Sequence, residues 1–268
     1  MILSVIIPSY RDPLLHKTID SLLENSELGD QLEIIPILDG YWPIKSIKDN
    51  PRINVVHLGK NSGMREAINA GVEVARGKYL MRMDEHQIVC PGYDKILTDP
   101  KNIKDDWIVT PRRFFLDTKK WEIMDIPPVD YMKLKIVGSG KSRKFSGVEW
   151  KTRAKTNAHK MIDQTMAMQG SCWVMKKSWW EKVIKRLETE NYGPHYQDSH
   201  EMQFKTWKAG GKLVVNKKAW HAHKHRSFPR THSNGTKENP SNNEFCFANS
   251  LKIWKNYYEE EVLPIWKI

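Results

Sequence analysis

The chain has 268 residues, 40% hydrophobic and 28% charged, which suits one large globular domain or one domain with a substantial appendage. No apolar run approaches the length of a membrane-spanning helix, and residues 1–8 lack the basic and small-residue marks of a signal peptide. Lys and Arg number 43 against 32 Asp and Glu, a net charge of +11 that favours polyanionic partners: nucleic acid, an anionic membrane surface or phosphorylated substrates.

In chain order, residues 4–10 form an apolar run ended by a turn, as in a strand buried in a parallel sheet. Residues 14–24 carry Leu and Ile at helical spacing. A second strand over 32–40 ends in Asp39-Gly40, and a third covers 53–58. Residues 63–75 read as a helix closed by Gly77, followed by strands at 79–83 and 107–110. Strands alternating with helices predict an α/β sheet with right-handed crossovers, whose ligands gather at the carboxyl ends of the strands. Asp39 and Asp84 both fall there.

Beyond residue 111 the rhythm changes. Residues 132–160 are rich in Lys and Arg, with Phe145 and Trp150 interspersed, and read as a basic loop or hairpin insertion. A strand within 166–175 follows, then a helix through Trp180 to Leu187. A helix over 198–211 closes on Gly210-Gly211, and a strand at 213–215 leads into the histidine cluster at 220–226. Residues 244–268 are aromatic and charged, as in a helix packing back on the domain. The cysteines Cys90, Cys172 and Cys246 are odd in number and widely spaced, which argues against a disulfide framework or zinc cluster and fits a reducing cytoplasm.

Two segments carry the chemistry. In extended chain Asp84 and His86 point the same way while Glu85 turns aside, so a carboxylate and an imidazole converge at the end of a buried strand. That pair suits a divalent ion such as Mn²⁺ completed by phosphate oxygens. His221, His223 and His225 also alternate and share a face, and any of them could join a metal or phosphate site.

Taken together these pieces resemble the GT-A glycosyltransferases of the large family-2-like group. The resemblance rests on residues 5–10, Asp39 after a strand, Asn61-Ser62-Gly63 before a helix with Ala67 and Asn69, Gly77-Lys78-Tyr79-Leu80, and Asp84-Glu85-His86 in place of the DxD motif. The DxH variant, Glu201 to Gly211, and His223 three residues before Arg226 are similar to the polypeptide N-acetylgalactosaminyltransferases. The resemblance implies an α/β GT-A sheet flanked by helices and a UDP-sugar donor held with Mn²⁺ or Mg²⁺. Pro8, Tyr10, Arg11, Asp39, Gly63, Arg65 and Asp84 would contact the donor, and Asp84, His86 and His223 would hold the ion. Asp198, Glu201 and Arg226 would be the catalytic candidates, with Arg65, Arg82 and Arg226 offsetting charge on the leaving group. Ser199 stands where inverting relatives carry a second acid, so retention of configuration is expected.

The expected organisation is a catalytic domain over 1–226, with a nucleotide-sugar half at 1–110, an acceptor half at 111–226, and a loop and helical extension at 227–268. Charge and the basic 132–160 stretch favour modified DNA as acceptor, a hydroxymethylated pyrimidine of viral type, with Phe145, Trp150 or Trp173 stacking on an extruded base. A glycan, lipid or protein acceptor is the alternative. A non-catalytic sugar-nucleotide or nucleic-acid binding module is the reading from another class.

Overall fold

The structure, a computed structural model, describes residues 1–224 and 240–267. The first half runs β1 (Leu3–Ser9), α1 (Leu15–Glu24), β2 (Leu32–Asp39), β3 (Val56–Leu58), α2 (Met64–Val74), β4 (Tyr79–Met83), β5 (Gln87–Val89) and α3 (Tyr93–Thr98). It continues through β6 (Trp107–Asp117), β7 (Glu122–Ile123), β8 (Met132–Val137), β9 (Lys144–Glu149), α4 (Lys151–Thr156), β10 (Ile162–Gln164) and β11 (Cys172–Lys176). After these come α5 (Lys177–Trp179), α6 (Asp198–Lys208), β12 (Lys212–His223), α7 (Pro240–Tyr257) and α8 (Leu263–Trp266).

One large sheet has the order β10-β12-β6-β11-β4-β1-β2-β3. Along that path the strands run the same way except β11 and β10, so the sheet is mostly parallel. Every residue of β1 and β2 is buried, as central strands covered on both faces require. One face packs on α1 and α3 through Leu15, Ile19, Leu22 and Leu97. The other packs on α2 through Ala67, Ile68 and Val72, with Trp173, Trp179 and Trp180 extending that layer. Gly71 lets α2 sit directly on β1, since a Cβ there would come within 2.4 Å of Ile6.

The expected α/β sheet is present, and its departures from the sequence reading have local causes. Only Val56–Leu58 of the third expected strand pairs as a strand; Ile53 makes a single bridge to Ile34. The strand at 107–110 is the start of the eleven-residue β6. Residues 213–215 and the histidine cluster belong to one strand, β12, interrupted by a bulge: Asn216 lies opposite Pro111 and Trp220 opposite Arg112, leaving 217–219 looped out. Lys217 in that bulge is buried and donates to the carbonyls of Asn157 and Ala158. The three-residue β5 was not anticipated at all; it pairs with β12 and places Gln87 opposite His223.

Residues 132–160 fold as the β8–β9 hairpin followed by α4, a defined element rather than an open loop. Phe145 is fully buried between Phe204 and Tyr258, and Trp173 is fully buried against Trp180, so neither is presented to a nucleic-acid base. Trp150 packs edge-on against Trp266 with Arg153 over its ring. The terminal helices cover this hairpin as expected: Trp254 stacks on Phe204, and Tyr258 Oη donates to the Leu134 carbonyl at 2.8 Å.

Candidate active site

β1, β2 and β4 all end on the same side of the sheet, and the chain reverses direction across it between β1 and β4, where open α/β sheets form their ligand crevice. Pro8, Tyr10, Asp39, Arg82, Asp84 and Glu85 line one cavity there. The segment after β4 is gripped from two sides. Asp84 N–H and the Gln87 side-chain amide both donate to the Ser171 carbonyl, and Thr18 exchanges hydrogen bonds with the Gln87 backbone.

The β5–β12 pairing then brings a residue 137 positions away onto His86. His223 Nε2 lies 3.0 Å from Asp84 Oδ2 and 3.2 Å from His86 Nε2. The three residues form a group whose ligand atoms all fall within 4.8 Å of one another. Neighbouring ligands of an octahedral ion with bonds of about 2.1 Å lie about 3.0 Å apart, so these spacings fit a divalent cation, and the mixed carboxylate–imidazole set suits Mn²⁺. Burial lowers the His223 pKa against the pull of Asp84, favouring the neutral imidazole that a metal needs. Burial opposes ionisation of Asp84, but Arg82 and the two histidines outweigh it and hold the carboxyl well below its usual range.

Two residues support this group from behind. Arg82, almost fully buried on β4, pairs with Asp84 Oδ1 at 2.5 Å and donates to the Gly170 carbonyl, leaving Oδ2 for the shared centre. Asp12 sits 3.0 Å from His86 Nδ1, both side chains 4% exposed. A carboxylate there keeps the proton on Nδ1 and leaves Nε2 as the ligand atom. Asp12 went unread in the sequence, where its only signal is an acid in the turn after β1. Replacing Asp12 with Ala is expected to weaken Mn²⁺ affinity about 10- to 100-fold in a direct metal titration, with Asn losing less.

The other expected residues are placed as follows. Asp39 lines the cavity, yet its carboxylate accepts from Asn61 Nδ2 and from the Ser62 and Gly63 amides, so it shapes the loop before α2. That turn is tight: Gly40 and Gly63 have φ of 72° and 91°, and a Cβ would strike Asn61 or Pro194. Glu85, read as turning aside, instead lines the cavity and accepts the Tyr10 N–H at 3.2 Å. Arg11 is exposed at φ 56°, its guanidinium over the Tyr10 ring.

Arg65 and Glu201 are given to each other. Arg65 is fully buried, pairs with Glu201, and donates to the carbonyls of Glu188 and Tyr196. Glu201 also takes Lys205 at 2.6 Å. This pair fastens α2 to α6, and neither side chain lines the cavity beside Asp84. Asp198 opens α6 behind two left-handed residues, Tyr196 and Gln197, and does not line the cavity. Of the two histidines of the cluster among the described residues, His223 falls beside Asp84 and His86, while His221 faces Ser171 at 3.4 Å and burial holds it well below its usual pKa. His225 and Arg226 lie outside the described residues.

Residues 4–184 match glycosyl transferase family 2. The chain belongs to this family. A curated relative, the uncharacterized glycosyltransferase EpsJ of Bacillus subtilis (strain 168), is 35% identical over 106 residues, 37% of this chain and 30% of that protein. The chain thus matches less than a third of that relative's length. Among solved structures, GalNAc-T7 with UDP, GalNAc and Mn²⁺ superposes with a TM-score of 0.73 at 17% identity, over 97% of this chain and half of that one. At that identity the likeness establishes the GT-A fold.

Proposed function

We propose that this family 2 protein is a metal-dependent glycosyltransferase that moves a hexosyl or N-acetylhexosaminyl group from a UDP-sugar to a hydroxyl acceptor. The observation that carries the reading is the Asp84–His86–His223 group at the rim of the cavity where β1, β2 and β4 end. The solved relative with UDP and Mn²⁺ supports it through the shared fold. A Mn²⁺ or Mg²⁺ ion held there supplies the positive charge that offsets the departing diphosphate. Asp84, His86 and His223 hold it, Asp12 and Arg82 fix their aim, and Pro8, Tyr10 and Asp39 shape the cavity for the nucleoside. Arg226 is the proposed further cation on the leaving group. With Glu201 locked on Arg65 and Lys205, retention of configuration is the proposed course.

The division into a donor half at 1–110 and an acceptor half at 111–226 is part of this reading, as is a cytoplasmic location, supported by three free, buried cysteines. For the acceptor, the exposed cations Lys135, Lys141, Arg143, Lys151 and Lys155 support a polyanion, and hydroxymethylated DNA is one such substrate. Burial of Phe145 and Trp173 favours the second reading, an acceptor among glycans, lipids or proteins. Hydrolysis and transfer with Mn²⁺ across a panel of UDP-sugars, with and without modified DNA, tests both. EDTA-sensitive hydrolysis is expected; no turnover of any donor would overturn the transferase reading, and labelled DNA would restore the first acceptor.

A further inference from the structure

The loop after β2 exposes side chains that proteins ordinarily cover. Trp42 is 78% exposed and Ile44 fully exposed, with Pro43 between them. The indole lies flat on His57, ring centroids 3.7 Å apart at 27°, which braces its other face toward solvent. This loop forms one wall of a cleft of about 620 Å³. Arg11 and His16 line it together with Lys45 of the loop itself. The cleft's acid, Asp12, is engaged with His86, so the groups left facing outward are apolar or basic.

An exposed aromatic ring and aliphatic side chain in one loop, sharing a cleft with Arg11 and Lys45, match what a lipid headgroup layer accepts. Indole settles at the interface, alkyl groups enter the acyl boundary, and Arg and Lys meet phosphates. Among the described residues no helix is long and apolar enough to cross a membrane, so such contact is peripheral. A nucleic-acid strand would use Trp42 and the cations but leave Ile44 in water, so the bilayer accounts for more of the surface.

We propose that the 41–45 loop docks the protein on an anionic membrane surface, Trp42 and Ile44 entering the headgroup region while Arg11 and Lys45 meet lipid phosphates. Because Asp12 lines this cleft and holds His86, docking brings the metal centre beside the bilayer and delivers a lipid-borne acceptor to it. That consequence rests on the proposed transfer activity; the docking does not.

Co-sedimentation of the full chain with vesicles of phosphatidylglycerol and phosphatidylcholine, without donor or metal, tests it. Binding to the anionic vesicles, weakened by salt and absent with phosphatidylcholine alone, is expected. Trp42→Ala and Ile44→Ser each lower the apparent affinity about tenfold, and Lys45→Glu lowers it about fivefold or more. All three are expected to keep wild-type Mn²⁺ binding and donor hydrolysis, which shows that they fold. Failure of the wild type to bind anionic vesicles overturns the proposal, as do equal binding to both lipids and variants that bind like the wild type. So does loss of DNA affinity in these variants with vesicle binding intact. None of these results bears on UDP-sugar hydrolysis, so docking and transfer fail separately.

Discussion

Asp84→Asn is expected to lower UDP-sugar turnover about 10³-fold and to abolish measurable Mn²⁺ binding, the combined loss of a metal ligand and of the leaving-group stabilisation it supports. Asn is chosen over Ala because it keeps the shape of the side chain beside Arg82 and so limits the cost of leaving that buried guanidinium alone. His223→Ala removes a different corner of the same group and is expected to give a loss of similar size. His221→Ala, on a residue two positions away that faces Ser171, is expected to leave Mn²⁺ affinity within about threefold of wild type, since it takes no ligand from the ion. Metal titration and steady-state hydrolysis on the three variants, with thermal melts as a folding control, separate these cases. Turnover unchanged in Asp84→Asn would mean that the centre is idle and would return the chain to the class of binding modules.

Glu201→Ala acts on stability. It strands Arg65, a fully buried cation, and frees a lysine and the Glu188 amide that shared the carboxylate. Breaking a buried pair from one side costs about 3–5 kcal/mol, which for a chain of this size lowers the melting temperature by roughly 10 °C. Removing both partners with Met is expected to be milder than removing Glu201 alone, because no charge is then left uncompensated. A catalytic base behaves otherwise: its loss lowers turnover about 10²- to 10⁴-fold and leaves the melt where it was. Donor transfer measured well below the melting point therefore tells the two roles apart. Near-wild-type turnover in a destabilised variant supports the clamp, and a stable but inactive one overturns it.

Much of the fold was legible because its central strands are covered on both faces. Short, mostly apolar runs such as 4–10 and 32–40 can be little else when turn residues bound them. Asp84 and His86 were legible because they stand two residues apart just past β4, although it is the bend joining β4 to β5, and no shared strand face, that sets them together. What escaped depends on partners distant in sequence. β5 is only three residues long, too short to show a period, and is a strand because β12 pairs with it. Asp12 carries no pattern until the fold sets it beside His86, 74 positions on. Arg65 and Glu201 looked chemical because charged residues near a recognised motif do. Only their mutual burial, 136 positions apart, shows them satisfying each other. Phe145 and Trp173 misled in the same way: an aromatic among lysines suggests a stacking surface until the covering helix or strand is seen.

The bulge in β12 uncouples the metal group from the length of chain that leads to it. Beyond the bulge His223 stands opposite Phe115 on β6 and Gln87 on β5, so pairing on both sides fixes the face it presents. Removing one residue from 217–219 shortens the looped-out segment and costs the contacts of Lys217 with the Asn157 and Ala158 carbonyls, while the strand pairs that aim His223 at Asp84 are kept. The chain can vary there in length at a cost in local anchoring and none in ligand aim.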